Sequence, residues 1–137
     1  YNLAIVLSLG IVWFCGVIMS VLIVESRPEL GRLWKRHLER QGKTVDLVSG
    51  EEEAIAYLSE HDTDMIVLDL VLDDGSALTV SDFANYRRPN ARVIFVTDTT
   101  FFSDGSIFNH ASNACAFVPS GTPPDDLAAM VDYYAMS

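Results

Sequence analysis

Short, mostly apolar runs alternate along this chain with stretches in which apolar residues return every three or four positions. The runs are residues 21–24, Thr44–Val48, Met65–Asp69, Arg92–Thr97 and 116–118, each bounded by turn-forming or charged residues. Runs of that length read as strands, and the three-to-four spacing reads as amphipathic helix. Pro28 suits a first helical turn, after which Leu30, Leu33, Trp34, His37 and Leu38 share one face until Gly42 ends the helix. Ser49 with Glu52 has the form of a capping box, and Ala54, Ile55 and Leu58 give the helix behind it an apolar side. Further helices are predicted over 77–86, closed by Arg87-Arg88-Pro89, over 106–112, and from Pro124 or Asp125 to Ala135.

Strand and helix therefore alternate five times. Strands that are apolar on both sides belong to a parallel sheet covered by helices on each face, so an open five-stranded α/β sheet is expected. In such sheets chemistry gathers at the carboxyl ends of the strands. The residues there are Glu25 and Ser26, Asp69, Thr97 and Asp98, and Ser120.

The first 24 residues are a different material, without a single charge. Residues 3–24 reach the roughly 20 residues that a helix needs to cross a bilayer, although giving 21–24 to a strand leaves a short span. Three readings fit residues 1–19: a transmembrane helix, a packed or self-associating apolar helix, and an incidental extension before an α/β unit at 20–137. No basic stretch or small-residue cleavage pattern marks a signal peptide.

Composition narrows the function. Of 137 residues 50% are hydrophobic, and 19 acidic against 9 basic side chains give a net charge of −10. That balance argues against nucleic acid as a partner, since phosphate contacts depend on Lys and Arg. Cys15 and Cys115, a hundred positions apart, form neither a disulfide framework nor a metal motif, and a reducing compartment is expected. Six of the nine basic residues, including Arg32, Lys35 and Arg36, lie on or beside the first helix, whereas residues 93–137 contain no Lys or Arg. A basic helix face can steer an acidic partner or can simply be solvated. No glycine-rich phosphate loop is present. Glu25 and Asp69, brought together from two strand ends, have the chemistry of a hard-cation site, and an aspartate beside such an ion can accept a phosphoryl group. They can equally be solvated acids at strand ends.

The segments Val21-Leu22-Ile23-Val24-Glu25-Ser26-Arg27-Pro28, Val67-Leu68-Asp69-Leu70-Val71-Leu72-Asp73-Asp74-Gly75 and Val93-Ile94-Phe95-Val96-Thr97 together resemble the receiver domain of bacterial two-component response regulators. The resemblance covers 20–135 and implies a flavodoxin-like fold with five strands and five helices. It implies Asp69 as phosphoacceptor, Thr97 as the switch hydroxyl, Phe117 as the switch aromatic, and Glu25 with Asp69 as ligands of Mg²⁺. Three departures accompany it. Ser26 stands where the family has a second acid, Ser120-Gly121 where it has Lys-Pro, and Asp73 where a Pro is usual. The expectation is an atypical receiver that binds Mg²⁺ weakly and works by protein contact, with phosphorylation at Asp69 impaired or absent. The alternatives are a conventional phospho-accepting switch and a membrane-tethered inert scaffold. A haloacid-dehalogenase-type phosphatase is disfavoured because Val71 holds the place of its second Asp, and no enzyme activity is expected.

Family resemblance also implies docking of a histidine kinase or phosphotransfer protein on the first helix, through Arg32, Lys35 and Arg36. A homodimer through the fourth helix, fifth strand and fifth helix is the family's other contact. Phe101, Phe102 and Phe108 fall in that region, as core or as an apolar patch. With the sequence ending at Ser137, output is expected through contact. The expected location is cytoplasmic, with residues 3–18 as a candidate anchor in the inner membrane.

Overall fold

The structure, a computed structural model, describes residues 18–97 and 113–135. The predicted span in residues 3–18, the helix at 106–112, and Phe101, Phe102 and Phe108 lie outside the described residues, save Ile18. Among the described residues no helix is long and apolar enough to cross a membrane.

The elements are β1 (Ser20–Val24), α1 (Pro28–Arg40), β2 (Thr44–Val48), α2 (Glu51–Glu60), β3 (Met65–Asp69), α3 (Ala77–Arg87), β4 (Arg92–Thr97), β5 (Ala114–Pro119) and α4 (Pro124–Ala135). The five strands form one parallel sheet in the order β2-β1-β3-β4-β5. The expected open α/β sheet with helices on both faces is what the chain adopts.

The pleat divides each apolar run between two cores. Val21, Ile23, Met65, Val67, Ile94 and Val96 point to one face, where they meet Trp34 and Leu38 of α1 and Leu127, Ala128 and Val131 of α4. Leu22, Val24, Ile66, Leu68, Val93 and Phe95 point to the other, against Ala54 and Leu58 of α2 and Ala77, Val80 and Ala84 of α3. This is why the central strands are apolar at every position. Each fully buried Leu, Ile or Val contributes about 1.5–3 kcal/mol, so the two cores dominate over any surface ion pair. Gly31 lets α1 settle onto β2, because a Cβ there would stand 2.7 Å from Cδ1 of Leu47.

One local expectation needs correction. The N-cap of α2 is Gly50 without a side-chain cap, and the acid that reaches back is Glu53, not Glu52. Glu53 Oε1 accepts from the Ser49 amide at 2.8 Å and from its hydroxyl at 2.7 Å. Starting the helix one residue later than the Ser-x-x-Glu pattern moves the reciprocal acid by one position.

Candidate functional site

Parallel pairing brings the carboxyl ends of β1, β3 and β4 to one edge. Leu68 pairs with Val24 and with Phe95, which places Glu25 and Asp69 one residue further on, at the rim. Both are almost fully buried, at 2% and 3% exposure, and a buried carboxylate requires donors.

Those donors come mainly from Arg27. Its Nε lies 3.0 Å from Glu25 Oε2 and its Nη2 lies 3.0 Å from Asp69 Oδ2, so one guanidinium joins the two carboxylates. The Arg27 amide donates to the same Glu25 Oε2 at 3.0 Å. The other Asp69 oxygen, Oδ1, accepts from the Val71 amide at 2.9 Å. Glu25 is fixed further by its own amide, which donates to the Val48 carbonyl at 3.0 Å.

In sequence Arg27 is one of the six basic residues on or beside the first helix. Its role follows from Pro28, which opens α1 and disfavours helical geometry in the residue before it. Arg27 accordingly has φ −86° and ψ 108°, an extended conformation that turns its side chain over the sheet edge instead of along the helix. The signal available in sequence was an Arg two residues after a strand-end acid and directly before a helix-opening Pro.

Burial pushes the Asp69 carboxyl up to about 6. The Val71 amide opposes that rise, neighbouring Glu25 adds to it, and the Arg27 charge opposes it more weakly. Arg27 is itself pushed above the ordinary arginine value, chiefly by its hydrogen bond to Glu25.

Ser26 does not turn toward the acids. Its hydroxyl donates to the Ser49 carbonyl at 2.8 Å and accepts from the Asp73 amide at 2.9 Å, tying the β1–α1, β2–α2 and β3–α3 loops together. The resulting cleft, about 140 Å³, is lined by Glu25, Ser26, Arg27, Asp69, Val71 and Asp73. Thr97 is buried at the same end of β4 but is not part of that lining. Ser120 follows β5, and its amide donates to the Thr97 carbonyl at 2.9 Å. Phe117 stacks on Phe95, with centroids 5.2 Å apart and planes 14° apart.

The donor set does not fit a hard divalent cation. Mg²⁺ takes near-octahedral oxygen ligation from carboxylates and water. Here the two converging carboxylates are already bridged by a guanidinium, and Ser26 offers its hydroxyl elsewhere. Among the described residues no group of three or more His, Cys, Asp or Glu side chains is placed to hold a metal. The two residues expected to hold Mg²⁺ do meet, but around Arg27.

Comparison with known proteins gives a consistent picture. The response regulator receiver domain profile matches residues 21–119. Sixty residues are 38% identical to the transcriptional regulatory protein TcrA of Mycobacterium tuberculosis, covering 42% of this chain and 24% of that protein. The chain thus spans about a quarter of the length of the curated relatives it matches. Among solved structures, a CheY-like receiver domain protein from Methanospirillum hungatei superimposes with a TM-score of 0.80 at 21% identity, over 87% of this chain and 94% of that one. The response regulator TrrA of Thermotoga maritima, solved in complex with Mg²⁺ and BeF, gives 0.74 at 22% identity, over 85% and 98%. At these identities the solved structures speak for the fold.

Proposed function

The chain belongs to the response regulator receiver domain family of two-component signalling, and from that premise we propose that it is an atypical receiver that acts through protein contact, with phosphorylation at Asp69 impaired. One observation carries the proposal: both oxygens of the candidate phosphoacceptor are already engaged, Oδ2 by Arg27 and Oδ1 by the Val71 amide. Phosphoryl transfer needs a carboxylate oxygen free to attack in line, and positive charge placed where the phosphoryl oxygens will sit. Asp73 lines the same cleft and repels a dianion. Thr97 is the candidate switch hydroxyl. Ser120 brings a neutral group to the position at which the family resemblance would put an ammonium.

In this reading Phe117 is the switch aromatic, and its ring stacks on Phe95. A modification shifts a conformational equilibrium only through contacts that differ between the two states. Removing the second acid and the ammonium removes two such differences. Contact with a histidine kinase or phosphotransfer protein is assigned to α1. Arg32 and Arg36 are exposed and Lys35 half-buried on that helix, and among the described residues none of the three is in an ion pair. A homodimer would use β5 and α4, where Tyr133 is 68% exposed.

Acetyl phosphate with Mg²⁺, followed by intact-mass measurement, tests the proposal. The expected result is slow labelling or none. Rapid labelling that Asp69→Ala abolishes would overturn it in favour of a conventional phospho-switch.

A further inference from the structure

The acidic cleft contains its own counter-ion, and that counter-ion is part of the chain. We propose that Arg27 is a tethered cation standing where a free divalent ion would bind, so that the intact protein excludes divalent cations and gains affinity for them once Arg27 is removed. The inference rests on the receiver reading for the location of the site, and on this chain's geometry for everything else.

Two carboxylates that are nearly fully buried and adjacent cannot both stay ionised without compensating positive charge. Arg27 supplies it with contacts of 3.0 Å to each. The guanidinium is delivered from two residues beyond Glu25, and the Arg27 amide holds that same carboxylate. A group attached so closely acts at a local concentration of about millimolar or higher, so an ion at ordinary millimolar concentration competes at a disadvantage. The cleft as a whole stays acidic, with Glu25, Asp69 and Asp73 against one base, so the exclusion comes from the guanidinium itself, which occupies the shared carboxylate oxygens and repels a second cation a few ångströms away. Without Arg27, those same oxygens have no cation within the lining and become ligands for one from solution.

The probe is Mn²⁺, whose free aqueous electron-paramagnetic-resonance signal falls when the ion is bound. The full chain, Arg27→Ala and Arg27→Gln are titrated at pH 8, with circular dichroism to confirm that each variant is folded. The unmodified protein is expected to leave the signal intact into the millimolar range. Either variant is expected to take up one Mn²⁺ with affinity raised about tenfold or more, as expected from removing a unit charge a few ångströms from the ion. Adding Asp69→Asn to the variant should abolish the gain, locating the ion in the cleft.

Equal Mn²⁺ uptake by the unmodified protein and the variants would overturn the proposal, because Arg27 would then not exclude the ion. So would a lack of uptake by folded variants, since Arg27 would then not be a stand-in for one. Failure here is separable from failure of the functional reading. Mn²⁺ uptake by the unmodified chain without Asp69 labelling sinks only this inference. Rapid labelling of Asp69 in a chain that ignores Mn²⁺ sinks only the other.

Discussion

Replacing Asp69 by Asn should stabilise the protein at alkaline pH and do little at acid pH. Burial raises the Asp69 pKa from 3.8 to about 6, so the folded state holds this proton more tightly than the unfolded chain does. The contribution to stability is therefore complete below pH 3.8 and is lost as pH rises through about 6. At 1.36 kcal/mol per pKa unit, keeping the side chain ionised at pH 8 costs about 3 kcal/mol. That figure already includes the attraction of Arg27, which holds the Asp69 pKa down, and Asn keeps an oxygen for the Val71 amide. The gain for Asp69→Asn is therefore about 3 kcal/mol at pH 8, which moves a urea midpoint by about 1–2 M. At pH 4.5 the natural side chain is already mostly protonated, and the two proteins should agree within about 1 kcal/mol. Urea unfolding followed by far-ultraviolet circular dichroism at both pH values measures the gap. A variant less stable than the natural protein at pH 8, or one with the same gap at both pH values, would refute the reasoning and show that the Arg27 pair outweighs the burial penalty.

Gly75 has φ +88°, and a Cβ there would collide with the Glu51 side chain, which holds the Ser76 amide at 2.7 Å. Gly75→Ala should therefore cost about 1–2 kcal/mol, seen as a lower thermal midpoint; an unchanged midpoint would mean that the turn re-forms without strain. On the opposite face Lys43, with a side chain only 8% exposed, pairs with the half-exposed Asp132 and joins the end of α1 to α4. Asp132→Ala strands the ammonium and should cost about 1–2 kcal/mol, while Lys43→Met keeps the packed stem and should cost less. The reverse order in urea unfolding would show that the charge matters less than the carboxylate's other contacts.

Much of this fold was legible because its central strands β1, β3 and β4 are buried on both faces. The five strand positions follow from largely apolar runs, even at the edge strand β2 with its exposed Thr44 and Asp46, and the bounds of β2, β3 and β4 are those expected. Asp69 and Glu25 at one edge follow from the same argument, since parallel winding leaves every strand's carboxyl end on that side. What the chain does there was less visible. The reach of Arg27 depends on the backbone before Pro28, and the exchange of Glu53 for Glu52 depends on where one helix begins. Neither is encoded in hydrophobic spacing. Ser26 shows the same limit, because the loss of an acid at that position is visible in sequence, whereas the two backbone groups its hydroxyl occupies come from loops far along the chain.

That hydroxyl has a consequence for motion. Bonded to the Ser49 carbonyl and the Asp73 amide at once, it couples three crossovers, since a loop that pulls away from Ser26 gives up a hydrogen bond. Amide hydrogen exchange reads this directly. The Asp73 amide, on an exposed loop residue, is protected by the Ser26 hydroxyl, so its protection records how often that tie between the loops opens.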